Sequence, residues 1–220
     1  VGRNKLWRFE INASRRNVIE EGKEIFSTIK GQWRPYFENT NDLVLELGCG
    51  RGEYTTGMAA EYPHRNFIGV DIKGARMWKG STVAVENNLS NVAFLRIRMF
   101  QLLDFFEAGE VNEIWMTFPD PRMKDQDEKH RLTNVEHFKR YRQILKPGSI
   151  FRLKTDNYPL YEYTLEVLKN PELTISELVH TDDLYQNPGL LAEHHGIQTT
   201  YERKFLKEGS KINYLRFRLW

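Results

Sequence analysis

Glu46, Gly48, Gly50, Gly52, Asp71 and Asp120 are the residues whose types and spacing point to chemistry. The first four fall in Leu-Val-Leu-Glu-Leu-Gly-Cys-Gly-Arg-Gly, positions 43–52. Positions 43–47 are apolar apart from Glu46, the profile of a short strand buried on both faces of a parallel sheet. Glycines directly after such a strand permit a tight turn and let a ligand lie against bare backbone. A helical pattern follows through Tyr54, Met58 and Ala59. Strand, glycine turn and helix together form a unit that holds nucleotide ligands. About 20 residues further on, Asp71 closes a second apolar run, and a carboxylate there can accept from both ribose hydroxyls of an adenosine.

The glycine spacing discriminates between ligands. The dinucleotide fingerprint is G-x-G-x-x-G. Here the third glycine comes one residue early, and Glu46 stands two residues before the turn. An early acid, G-x-G-x-G and a second acid closing the next strand resemble the class I S-adenosylmethionine-dependent methyltransferases. The resemblance implies an α/β, Rossmann-like fold with a mostly parallel central sheet and helices on both faces. It implies S-adenosyl-L-methionine as cofactor, with contacts at Glu46, Gly48, Gly50 and Asp71. A dinucleotide enzyme, or a plain strand-to-helix turn that happens to carry glycines, is the alternative. In this class the loop after the third strand holds the adenine, and here that loop is Arg98-Met99-Phe100. The Arg98 side chain cannot accept a hydrogen bond. Arg98 would then serve through its backbone, with Met99 or Phe100 as an apolar wall.

Asp120 sits in Phe118-Pro-Asp-Pro-Arg-Met-Lys124, at the end of a fourth strand expected over 110–118. The two prolines fix the backbone around it and keep it out of a helix. In a doubly wound sheet the carboxyl ends of the central strands form the ligand crevice, so Asp120 faces it. Pro-Asp-Pro is also ordinary surface-turn chemistry. Beside a cofactor turn, the site assignment is preferred.

The elements that must position these residues follow from periodicity and punctuation. Positions 1–16 carry Arg3, Lys5, Arg8, Arg15 and Arg16 against Glu10 alone, interleaved with Trp7 and Phe9. Such a basic arm can bind phosphates and stack on bases, or it can be a solvated terminus. A helix is expected from Asn17, with Ile19, Ile25, Phe26 and Ile29 buried, ending by Gly31 and Pro35. Further helices are expected over 73–88, 132–145 and 158–168. Strands are expected over 91–97, 149–154, 173–179 and 214–219. Positions 185–200, polar and punctuated by Pro188, Gly189 and Gly196, are expected to form a mobile substrate loop.

Length and composition bound the class. The 220 residues suit one domain, with an arm and helix over 1–40 and a catalytic core over 41–220. A chain 40% hydrophobic and 28% charged has enough apolar residue for a full core while staying globular. A net charge of +2 is too small to demand a nucleic-acid partner, so the local basic stretches carry that inference. One cysteine excludes an intrachain disulfide and suggests a reducing compartment, hence a cytoplasmic protein. No stretch approaches the roughly 18 apolar residues of a membrane span, and no secretory h-region opens the sequence. The histidines and Cys49 lack metal-ligand spacing, and His194-His195 is adjacent, so no metal is expected.

A further set of residues narrows the substrate. Leu-Glu-Leu-Gly-Cys-Gly, Phe118-Pro-Asp-Pro with Lys124 beyond it, Thr155-Asp156, and Thr199-Thr-Tyr-Glu202 ahead of Lys204-Phe205 resemble the bacterial tRNA (guanine-N7-)-methyltransferase family. The resemblance runs from about position 43 to the C-terminus. It implies methyl transfer from S-adenosylmethionine to N7 of a guanine in the tRNA variable loop. It implies a catalytic carboxylate at Asp120 and substrate contacts at Lys124, Asp156, Thr199, Thr200, Tyr201 and Glu202. Arg122 departs from the family, which commonly has an aromatic after the second proline. Two other functions remain open: a class I methyltransferase acting on a small molecule or protein, and a non-catalytic RNA-binding subunit on the same fold. Both a monomer and a homodimer fit the sequence.

Overall fold

The computed structural model describes residues 2–220, with side chains from residue 5 onward. Val1 and the Arg3 side chain, part of the expected basic arm, lie outside the described residues. The frame is one eight-stranded sheet of β1 (Val18–Ile19), β2 (Asp42–Leu47), β3 (Arg65–Asp71), β4 (Val92–Arg96), β5 (Val111–Thr117), β6 (Leu145–Thr155), β7 (Ile175–Thr181) and β8 (Asn213–Leu219). Its order is β1-β4-β3-β2-β5-β6-β8-β7. Every pairing from β1 across to β6 is parallel, and β8 runs antiparallel to both β6 and β7. The chain passes outward from β2 through β3 to β4, then returns to β5 on the other side of β2. The order reverses between β2 and β5, so the crevice opens at their carboxyl ends.

Strand parity divides the core. Leu43, Leu45 and Leu47 of β2 enter one buried cluster, with Ile114 and Met116 of β5. Val44 enters the cluster on the other face, with Trp115. Helices cover both faces. α3 (Trp33–Phe37), α6 (Leu102–Phe105) and α7 (Val135–Ile144) contribute to the first cluster, as does α8 (Tyr158–Val167) through Tyr161. α4 (Glu53–Glu61) and α5 (Gly74–Glu86) contribute to the second.

Three expectations about the elements change. The helix expected from Asn17 is not formed there. Val18 and Ile19, both fully buried, pair parallel with Phe94 and Leu95 as an edge strand. Shorter helices follow at α2 (Glu24–Thr28) and α3. β-Branched residues suit that extended, buried edge. The basic arm is helical: α1 (Gly2–Ser14) packs along α5. Trp7 meets Trp78 at 5.3 Å between ring centroids, and Asn12 donates to the Gly74 carbonyl at 2.9 Å. Arg15 spends its guanidinium on the Trp78 carbonyl and on Ser81 and Thr82. The interleaved aromatics thus pack α1 against the fold. Finally, positions 185–200 are not a free loop. They contain α9 (Pro188–Ala192), lead into α10 (Thr200–Lys207), and bury His194 against Tyr54. Among the described residues, no helix is long and apolar enough to cross a membrane.

Candidate active site

A cleft of about 690 Å³ lies at the switch point, lined by the glycine turn, Asp71, the 97–100 loop, the Phe118–Arg122 loop, Asp156 and the start of α10. That size is in the range of small-molecule sites. Gly48 and Gly50 take the left-handed backbone region, at φ 77° and 54°. A Cβ built on Gly48 would meet nothing within 4 Å, and one on Gly50 only the Gly48 carbonyl at 3.9 Å. The turn therefore presents bare backbone to the cleft. Gly52 serves packing instead: its Cβ would stand 2.4 Å from the Phe94 ring. This early third glycine lets the turn nest against β4 and α5.

The two acids of the unit act at different depths. Asp71 lines the cleft, and its carboxylate accepts from the backbone N–H of Gly50 and of Lys73, each at 2.9 Å. Glu46 does not line the cleft. One oxygen accepts from the Thr55 N–H at 2.8 Å and from the Thr55 hydroxyl, and the other from the Thr117 hydroxyl at 2.7 Å. It caps the first turn of α4 from behind the glycines. Burial pushes its carboxyl up to about 7, although the hydrogen bonds from Thr55 and Thr117 oppose that shift. Glu46 thus builds the turn that faces the cleft. Arg98 and Met99 both line the cleft, and the Arg98 N–H is held by the Gln101 side chain at 3.0 Å. Ile72, Ile97 and Met99 supply apolar wall beside them.

The opposite wall is the Phe118–Arg122 loop. Phe118 and Arg122, neither a glycine, hold φ of 51° and 44°. Positive φ at bulky residues costs on the order of 1–3 kcal/mol each and persists where surroundings over-determine it. Here the Phe118 N–H donates to the Lys154 carbonyl at 2.7 Å. Arg131 donates to the carbonyls of Arg122 at 2.9 Å and Met123 at 3.2 Å, with its guanidinium over the Tyr163 ring. Arg131 is buried, and its hydrogen bonds shape the loop. Asp120, held at the crest, lines the cleft with its side chain 73% exposed and 3.7 Å from Arg122 Nε. Lys124 is exposed and stands outside the cleft lining.

At the third wall, Asp156 lines the cleft from the end of β6, and burial raises its carboxyl above the ordinary range. Thr199 caps α10 by accepting from the Glu202 N–H at 3.1 Å, and Thr199 and Tyr201 line the cleft. Thr200 does not line it, because its N–H and hydroxyl are bound to Glu53. Glu202 faces the interior: it is fully buried and paired with Lys154 at 2.7 Å. The Glu202 carboxylate thus ties α10 to β6 through Lys154. Cationic side chains ring the opening, among them Arg51, Lys73, Arg76, Arg122, Lys129 and Arg140. The sequence singled out neither Glu53 nor Lys154. Lys154 carried a signal, since a lysine inside a central strand demands a buried partner.

A family model described as "Putative methyltransferase" matches residues 40–215. The tRNA (guanine-N(7)-)-methyltransferase of Cytophaga hutchinsonii is 50% identical over 217 residues, covering 99% of this chain and 98% of that one. The protein of the same name from Pediococcus pentosaceus is 35% identical, with 97% of each chain covered. Among solved structures, the 16S rRNA methyltransferase KamB superposes with a TM-score of 0.63 over 92% of this chain and 98% of that one. At 16% identity that likeness is one of fold. The class I methyltransferase architecture and the near full-length identity agree, and the chain belongs to the tRNA (guanine-N(7)-)-methyltransferase family.

Proposed function

We propose that this chain methylates N7 of a guanine in tRNA, in the variable loop, with S-adenosylmethionine as methyl donor. The observation that carries the reading is one cleft with unlike walls. The bare Gly48–Gly50 turn with Asp71 forms one, and the carboxylates of Asp120 and Asp156 stand on the others. The first wall fits the donor: Asp71 can take ribose hydroxyls, the glycines admit close approach, and Ile72 and Met99 offer apolar faces to the adenine. S-adenosylmethionine, when bound, supplies an electrophilic methyl group on a sulfonium.

Guanine N7 has a free lone pair, so no base is needed to remove a proton. The chain's task is to position the guanine and manage charge. Methylation makes the ring positive and its imino proton more acidic. Asp120 can accept from the imino N–H and the exocyclic amine, an interaction that strengthens as the charge develops. Asp156, with its carboxyl already raised by burial, is the second acceptor in place of Glu202. Arg122, Lys124 and Arg140 hold phosphates, and the target base leaves its stack to enter. Thr199 and Tyr201 form the wall it enters against. The single cysteine, buried and unpaired, supports a reducing compartment, the cytoplasm. The test is transfer of labelled methyl to unmodified tRNA, followed by nucleotide mapping. 7-Methylguanosine in the variable loop is expected, and label on another atom or only on protein would overturn the reading.

A further inference from the structure

One face of the cofactor-turn helix α4 carries the segment 194–203. Tyr54 Oη lies 2.8 Å from His194 Nδ1. A Cβ at Gly57 would stand 2.8 Å from Ile197, so a glycine there admits the close approach. Tyr62 Oη bonds His195 Nε2 at 2.5 Å. Glu53 closes the contact at the start of the helix. Its Oε2 accepts from the Thr200 N–H at 2.7 Å, and its Oε1 accepts from the Thr200 hydroxyl at 2.5 Å and from Arg203 Nη2 at 3.2 Å.

The chemistry of that contact is specific. The Thr200 N–H is the first of α10, one of the donors that a helix start leaves without an intrahelical partner. A carboxylate there satisfies the donor and is favoured by the helix dipole. Glu53 is itself the first residue of α4, directly after Gly52 of the glycine turn. One carboxylate, itself at the edge of the cleft, thus joins the turn to the helix start whose flanking residues, Thr199 and Tyr201, line the same cleft. The two groups are 147 positions apart in the chain.

We propose that Glu53 is a positioning residue, which fixes the RNA-facing wall at Thr199 and Tyr201 relative to the glycine turn. This rests on the methyltransferase function above. With Glu53 intact, the start of α10 has one place relative to the turn. Without it, Thr200 and Arg203 are solvated, and the wall that meets the target nucleotide is free to shift.

The test compares Glu53→Ala, Glu53→Gln, Thr200→Val and the double variant Glu53→Ala/Thr200→Val in steady-state methylation of tRNA. Affinity for S-adenosylhomocysteine is measured by calorimetry without RNA, and each variant is melted. Glu53→Ala should raise KM for tRNA about tenfold, the scale of losing charge-assisted hydrogen bonds. Its S-adenosylhomocysteine affinity should change less than about twofold. Glu53→Gln, which keeps an acceptor for the Thr200 N–H, should recover part of the loss. The double variant should be no worse than Glu53→Ala, because the hydroxyl hydrogen bond that Thr200→Val removes is one of those already lost in Glu53→Ala. An equal loss of S-adenosylhomocysteine affinity would assign Glu53 to the cofactor and overturn the proposal. So would an unchanged KM or an additive double variant. If Glu53→Ala does not fold, Thr200→Val must show the KM rise alone, and its absence overturns the proposal. A wild-type chain that leaves tRNA unmethylated overturns the function itself, whereas an active wild type with indifferent variants overturns only the role of Glu53.

Discussion

Lys154 and Glu202, 1% and 0% exposed, form a 2.7 Å ion pair behind the wall that α10 presents to the cleft. Tyr185 donates to the same carboxylate at 3.0 Å, and Lys154 lies over the Tyr54 ring. Burial lowers the Lys154 ammonium, and the Glu202 charge opposes that shift. Removing one member of such a pair strands the other charge, which costs on the order of 3–5 kcal/mol. Lys154→Met and Glu202→Gln should therefore lower the urea midpoint markedly, and Lys154→Met/Glu202→Leu should recover part of it. Glu202→Gln with unchanged stability and abolished turnover would instead return Glu202 to direct substrate contact.

Glu46 gives the fold a distinct pH dependence. Its ordinary value of 4.5 is raised to about 7 by burial. Between those values the folded chain holds a proton that the unfolded chain has released. Stability therefore falls as pH rises through that window and levels above it, by roughly 3 kcal/mol for this group. Glu46→Gln cannot ionise, so it should gain on wild type between pH 4.5 and pH 7. Denaturant midpoints of both proteins at pH 5 and pH 7.5 check this, and a constant difference between them would refute it.

The glycine-turn side of the cleft was legible because it is local. Glu46, the glycines and Asp71 fall in two strand–turn units whose geometry is set by neighbours in sequence, and the parallel core followed from their apolar runs. The turn that sets Asp120 on the cleft wall was legible through its prolines. What escaped was long-range. Whether Glu202 faces substrate or interior depends on Lys154, 48 positions earlier. Arg131 resembles a phosphate ligand in sequence, and only the loop path shows it spent on the Arg122 and Met123 carbonyls. The N-terminal basic residues suggested a free arm, because the packing of Trp7 on Trp78 is a tertiary fact. Val18 and Ile19 fitted a helical period and a strand equally, and pairing with β4 decided it.

Arg131 and Lys124 separate loop shape from phosphate binding. The Lys124 side chain is exposed, whereas Arg131 is buried in the loop. Lys124→Ala should weaken tRNA binding, reduce the salt slope by roughly 1, and leave the melting temperature unchanged. Arg131→Ala should leave the slope nearly unchanged while exposing positions 119–131 to proteolysis and reducing turnover. Binding titrations across a salt series, beside limited proteolysis, distinguish the two. Equal salt slopes for Lys124→Ala and wild type would remove Lys124 from the RNA interface.

Asp120 carries the sharpest prediction. Its side chain is 73% exposed, its ionic neighbour is Arg122 at 3.7 Å, and the loop is fixed by other groups: Pro119, Pro121 and the Arg131 hydrogen bonds. Removing the carboxylate should leave the fold intact. Asp120→Asn keeps the shape and one acceptor oxygen, but it loses the charge and places a donor amide at the guanine edge. Because the interaction grows with the positive charge on the ring, turnover should fall far more than donor binding. A loss on the order of 10² to 10³ in rate matches removal of a preorganised electrostatic contact. Single-turnover methyl transfer to tRNA, with a thermal melt and an S-adenosylhomocysteine titration alongside, measures all three quantities. Near-wild-type turnover would reduce Asp120 to a turn former, and so would a fall in melting temperature large enough to account for the lost rate.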